Sequence, residues 1–295
     1  MKKNQNDQVA KKISCELGFT ARTLAQLSLP HSNPKTAYYS RTSGITRLVV
    51  KGDEKIGLPY GAMPRLILTW LCTQAVKTQS PVIDLAPSQA QFLNGLGLSN
   101  SGHYTRQLQN QFKRLFSSTI SIIQDDKKIW RIDNIQIAKH GEIWVNEDEV
   151  RPMWGGSVTL TENFYQEILD NPVPLDLAVM DKLKGSALAM DIYAWLSYRV
   201  FTLKSKGLFD VKIPWEGLQA QFGSNYGSNL ELFALDSDQI VKVEMQARYD
   251  FKRKFTEQLK KVLSAYPEPE RYIFIDSDYF TLSNKISRKI GQIGT

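Results

Sequence analysis

Five residues that can recognise nucleic acid, His103, Arg106, Asn110, Lys113 and Arg114, lie close together. At about 100° per residue they share the side of a helix opposite Tyr104, Leu108, Phe112 and Leu115. A second set repeats the arrangement: Tyr249, Arg253, Thr256 and Lys260 stand opposite Phe251, Phe255, Gln258, Leu259 and Val262, with Lys252, Lys254 and Lys261 on the flanks. These residue types suit duplex DNA, because arginine reads guanine with two donors, asparagine reads adenine, and lysine neutralises phosphate. Either helix alone is equally an ordinary solvated basic face; two at equivalent places favour DNA. Chemistry of other kinds is poorly supplied. His31, His103 and His140 are isolated from one another, Cys15 and Cys72 are far apart, and "GSNYGSN" (223–229) lacks the lysine of a phosphate loop. The adjacent carboxylates Glu147, Asp148 and Glu149 read as a solvated run. The expectation is a protein that is not an enzyme and uses no cofactor or metal.

Both candidate helices sit at the end of a recurring set of landmarks. Leu68-Thr69-Trp70-Leu71 precedes "QAQF" (89–92), which precedes "FKR" (112–114). Tyr193-Ala194-Trp195-Leu196, "QAQF" (219–222) and "FKR" (251–253) follow in the same order. Three ordered landmarks indicate a duplicated unit. The trp residues Trp70 and Trp195 fall on apolar helix faces and read as core.

The elements that position these residues follow from caps and periodicity. In the first copy, a helix is expected from Pro64 to Lys77, then a short strand in "SPVIDL", a short helix capped by Ser88 and stopped at Gly95 or Gly97, and a helix from His103 to Phe116. "STISII", "KIWRIDNIQIA" and "EIWVN" then read as strands separated by turns. In the second copy the same order is 186–201, 209–215, 216–224, 246–266 and the strands within 271–283, with 225–245 as an insertion. Helix, strand, two helices and a β hairpin is the winged-helix order, in which the last helix enters the major groove and the hairpin touches backbone. The predicted fold is therefore α+β, with two tandem winged-helix domains after a basic leader. The expected limits are 1–57 for a partly disordered leader that gives way to order near Arg41 with a short strand in "TRLVVKG" (46–52), 58–156 for the first domain, 157–185 for a strand and helix linker including the rigid "NPVPLDL", and 186–295 for the second domain. Lys127 and Lys128, in "QDDKKIW", are placed at the tip of the first wing. Arg65 and Arg199 are expected to cap neighbouring elements rather than to hold phosphates.

Composition agrees with such a protein. At 295 residues and 42% hydrophobic content the chain can bury two cores, and no apolar run is long enough to cross a membrane. The N-terminus lacks the apolar region of a secretion signal, so the expected location is cytoplasmic. Of the net charge of +7, residues 1–57 carry +6, from ten Lys or Arg against four acids. A basic leader on a nearly neutral body suits contact with an acidic polymer.

Several segments are distinctive in combination: "LPYGAMPRLILTWLCTQAVKT" (58–78), "LNGLGL" (93–98), "QNQFKRLFSSTISI" (109–122), "LTENFYQEILDNPVPLD" (160–176), "KGSALAMDIYAWLSYR" (184–199), "PWEGLQAQFG" (214–223) and "FKRKFTEQLKKVLSAYPE" (251–268). From about Leu29 to Leu282 the chain resembles the plasmid-encoded RepA replication initiators. It departs from their pattern at Gln74, where glutamate is expected, and at Met190, where leucine is commoner. The resemblance implies binding to repeated double-stranded sites, iterons, at a plasmid origin, melting of that DNA, recruitment of host replication proteins such as a helicase and its loader, and self-association between monomer and dimer. A transcriptional repressor without an initiator role, and a protein-interaction scaffold, are the other readings the residues allow.

Overall fold

Residues 62–78 carry apolar groups on nearly every side, and a helix of that kind must be surrounded by protein. In the computed structural model, which describes residues 16–126, 129–141, 156–207, 210–223 and 237–283, this segment is the central helix α2 (Ala62–Thr78), with eleven of its residues buried. Before it come β1 (Leu17–Ala21), α1 (Arg22–Gln26) and the hairpin β2 (Tyr38–Ser43) and β3 (Thr46–Lys51). After it come β4 (Val82–Asp84), α3 (Gln89–Gly95), α4 (Gly102–Phe116), β5 (Thr119–Asp126), β6 (Ile129–Ile135), β7 (Ala138–Gly141) and β8 (Ser157–Leu160). Then follow α5 (Glu162–Asp170), β9 (Pro172–Asp176), α6 (Leu177–Leu183), α7 (Ala187–Ser205), β10 (Asp210–Pro214), α8 (Trp215–Phe222) and α9 (Ser237–Ala265). A short 3-10 turn and the strands β11 (Ile273–Ile275) and β12 (Tyr279–Ser283) complete the described chain. Every described strand pair is antiparallel, so the mixed α+β character is as predicted.

Local rules place the helices. Ser88, Ser101 and Ser186 each accept a backbone N–H, from Gln91, Tyr104 and Ala189, and so start α3, α4 and α7. The repeated letters are repeated packing: Trp70 meets Phe92 edge to face at 4.7 Å, and Trp195 meets Phe222 edge to face at 5.5 Å. Phe112 contacts Phe116 and Phe251 contacts Phe255, the same one-turn pair in each copy.

Sheet order carries the duplication further. Strands β4, β8 and β7 form one sheet in that order, and β10, β12 and β11 form another in the corresponding order. The strand before the short helix is thus completed by the second strand of a later hairpin in both halves. In the first half that hairpin is β7–β8, not β5–β6 as the sequence suggested. Strand β5 pairs instead with β3, giving a separate four-stranded sheet β2-β3-β5-β6.

The basic leader needs correction as well. Of residues 1–57, those from Glu16 onward are folded into β1, α1, β2 and β3, while 1–15 lie outside the described residues. Strand β1 pairs with β9, Leu17 opposite Asp176 through Ala21 opposite Pro172, so "NPVPLDL" is mostly strand with Val173 and Leu175 buried. Instead of two cores there is one continuous apolar cluster from Ala21 to Leu282, because α7 packs against α1, α2 and α9. Helix α9 begins at Ser237, within the expected insertion, and residues 241–246 of it are exposed.

One buried carboxylate ties three of these parts together. Arg65 of α2 donates to Asp191 of α7 through Nε at 2.5 Å and Nη2 at 2.6 Å, and its other donors reach the carbonyls of Gly61, Leu29 and Pro30. His31 Nε2 lies 2.9 Å from the same carboxylate. Burial pushes the Asp191 carboxyl up, but the Arg65 guanidinium and the His31 ring outweigh it and hold the group below its ordinary value. Burial dominates at His31, whose ring is held below its ordinary value despite Asp191. Arg65 is thus a structural clamp, in line with the capping expectation. Arg199 stacks on Trp195 at 5.8 Å, and its Nε finds no described partner.

Candidate nucleic-acid interface

Helix α4 is amphipathic because Leu108, Phe112 and Leu115 are drawn into the core with Gln111. Burial of that stripe forces the predicted basic side outward: His103, Arg106, Asn110 and Lys113 are exposed. Arg114 behaves differently. It is half-buried, donating from Nε to Asn110 Oδ1 at 2.7 Å and from Nη1 to the Leu58 carbonyl at 3.2 Å, with its guanidinium over the Tyr60 ring at 5.3 Å. Gly57 permits this approach, since it has φ +82° and a Cβ there would meet Arg114 Nη1 at 2.5 Å. Gln111 adds a second tie to the same loop by accepting the Tyr60 N–H at 2.9 Å. Arg114 is therefore an anchor of α4 in this arrangement, and it holds Asn110 with it.

Helix α9 buries Phe251, Phe255, Gln258, Leu259 and Val262, the predicted stripe. Tyr249, Arg253 and Lys260 are exposed and Thr256 is half-buried. Arg253 is 72% exposed and its contact with Asp250 is a loose 3.3 Å, so its guanidinium is available to a ligand. Lys252 is instead an anchor: it lies over the Trp215 ring at 4.8 Å and donates to the Asp276 and Ser277 carbonyls at 2.9 and 3.1 Å. Within the turn it grips, the N–H groups of Tyr279 and Asp278 donate to the Asp276 carboxylate and hold its pKa below the ordinary value. Lys254 and Lys261 share Glu257. Helical spacing gave the exposed faces correctly, but could not reveal that Arg114 and Lys252 are turned toward loops distant in sequence. Arg248, one turn before Lys252 and paired with Glu216 of α8 at 2.7 Å, was missed, although the same spacing includes it.

Lys127 and Lys128 lie outside the described residues. The hairpin they join, β5–β6, is not the one that completes the β4 sheet, so the tip assigned to the first wing belongs to another sheet. No described helix is long and apolar enough to cross a membrane.

Two crystal structures of domains 2 and 3 of RctB align with the chain at 13% identity. One covers 68% of this chain and 76% of its own with a TM-score of 0.46, the other 75% and 81% with a TM-score of 0.47. No curated protein matches. The family model described as "Plasmid encoded RepA protein" matches residues 58–216, just over half of the chain, and spans α2 through the first turn of α8. With the motif segments from Leu58 to Gly223 inside or bordering that match, the chain belongs to the plasmid-encoded RepA family of replication initiators.

Proposed function

We propose that the two halves are tandem winged-helix modules that bind repeated double-stranded sites at a plasmid origin, with α4 and α9 as the major-groove helices. The observation that carries this reading is the shared order of the sheets β4-β8-β7 and β10-β12-β11, each made of a strand that precedes two helices and a strand pair that follows them, with the second helix exposing a basic face. A helix-turn-helix whose second helix is braced against a small sheet presents that helix to a groove, and the hairpin to the backbone. His103, Arg106 and Lys113 on α4, with Tyr249, Arg253, Thr256 and Lys260 on α9, are the contacting residues. Arg114 and Lys252 position the helices rather than read bases. Joining two modules makes the second contact intramolecular, which raises avidity for paired sites without new contacts. The protein performs no catalysis itself; it melts the origin by binding, brings in host replication proteins and self-associates.

The test is a mobility shift of the whole protein on DNA flanking its own gene and on scrambled DNA of equal length, across a salt series. Specific binding that survives salt, with further bands as repeat copies are added, is expected. Arg253→Ala should cost about 1–3 kcal/mol and relax preference at one base position. Lys113→Ala should weaken all sequences alike and reduce the salt slope by about 1. Equal, salt-labile binding to both DNAs would refute the assignment.

A further inference from the structure

The four-stranded sheet β2-β3-β5-β6 uses one face for the core, through Tyr39, Leu48, Val50, Ile120 and Ile122. Side chains alternate along a strand, so the register fixes what the other face presents. Trp130 stands opposite Asp125; the next row is Thr42, Arg47, Ile123 and Ile132; then Ser40, Val49, Ser121 and Asn134; then Tyr38, Lys51 and Thr119. Trp130 is 63% exposed, Tyr38 52% and Ile132 39%, and Arg47 and Lys51 are exposed as well. Val49 is buried between the rows. At its Lys51 end this face becomes a trough of about 450 Å³ whose described lining includes Asn134, Gln136 and Asn163 and no carboxylate. Among the described residues, the side chains of Arg47 and Lys51 make no hydrogen bond or ion pair.

We infer that this outer face is a binding surface for single-stranded nucleic acid. An exposed indole and phenol have free faces for bases, and stacking on a four-stranded antiparallel sheet accommodates two or three of them. Arg47 and Lys51, four residues apart in one strand and so about 13 Å from each other, are placed to attract phosphates that are not adjacent along the bound strand. The amides in the trough supply both donors and acceptors to base edges. From the Trp130 row to Gln136 at the trough, six residues along β6 and beyond span about 20 Å, enough for a few extended nucleotides. Duplex DNA does not suit it, because paired bases offer no faces to Trp130. A second copy of the chain is also disfavoured on charge: two such faces would bring Arg47 and Lys51 of each together, with Asp125 the one acid in the rows. The inference does not depend on the assignment of α4 and α9 to duplex sites.

The experiment is fluorescence anisotropy of the whole protein with labelled 15-nucleotide oligo(dT) and oligo(U), beside the gene-flanking duplex. Trp130→Ala should weaken binding to at least one of the two single strands by about 5- to 150-fold, with Trp130→Phe restoring most of it and duplex binding unchanged. Arg47→Ala and Lys51→Ala should each lower the single-strand salt slope by about 0.7. Because Trp130 is exposed, the variants are expected to melt at the wild-type temperature, and melting is measured alongside. Absence of single-strand binding by the wild type, unchanged affinity in Trp130→Ala, or an equal loss on duplex would overturn the inference. So would conversion of a dimer to a monomer by Trp130→Ala in sedimentation with single-strand affinity unchanged, which would identify the face as a contact between copies.

Discussion

The two halves keep the same interior and anchor their exposed helices in opposite directions along the chain. In both, a tryptophan of the long helix meets the phenylalanine of "QAQF" edge to face. In the first half, α4 is held from upstream, by Arg114 and Gln111 reaching the loop 57–60. In the second, α9 is held from downstream, by Lys252 reaching the turn at 276–277. Duplicated units thus retain the contacts that close-packing makes expensive to change, while surface anchors, which need only a carbonyl and an aromatic face, are free to diverge. A further difference is that Trp195 is fully buried whereas Trp70 is half-buried, so the copies do not bear equally on stability.

The strongest way to break the comparison is to uncouple the halves. Asp191→Ala strands the Arg65 guanidinium in the interior, and removing one partner of a buried pair costs about 3–5 kcal/mol. Denaturant unfolding should show that loss, and a transition that stays single would indicate that the shared core alone still joins the halves. The next test sharpens the asymmetry: Trp195→Ala should lose about 3–5 kcal/mol, and Trp70→Ala clearly less, because part of its ring already faces water. Equal losses would show that the two interiors are equivalent after all. The smallest effect concerns pH. Since His31 is held below its ordinary value of 6.5, the unfolded chain takes up the proton first as pH falls. Its contribution to stability is present above that value and is lost as pH drops from it toward the folded value. His31→Gln should flatten this part of the melting temperature profile against pH. Asp191, also held low, acts in the acid range: its contribution is present above the ordinary carboxylate value and is lost as pH falls through the folded one.

Legibility in the sequence followed the range of the interaction. Caps at Ser88, Ser101 and Ser186 and apolar spacing in α2, α4 and α7 are local signals, so these helices and their exposed faces were read closely. Strand β1, "LGFTA", is five residues long and draws its identity from β9, far along the chain, so averaged charge made a leader of it. The same limit misassigned β5–β6, since a hairpin's turn reveals that two strands pair with each other but not which third strand they join. The start of α9 escaped because Val241, Val243 and Met245 are exposed and continue no apolar stripe. At the candidate interface the residue types were legible, but the withdrawal of Arg114 and Lys252 was not, because it depends on where loops 57–60 and 276–277 arrive in space.

The pairing of β1 with β9 has a consequence in time. Leu17 is translated long before its partner Asp176, and at about 5–20 residues per second the roughly 150 residues between the strands take about 8–30 s to make. During that interval β1 has no ladder to join, although α2 is already made and Thr73 Oγ1 can accept the Phe19 N–H. Docking of the strand therefore waits for α5 and β9, and closes the N-terminal segment over the part of the core that α2 to α5 supply while α6 to α9 are still to come. Slowing elongation between α2 and β9 would lengthen the exposure of that strand, and with it the window in which a nascent chain can be captured by a chaperone or cut by a protease.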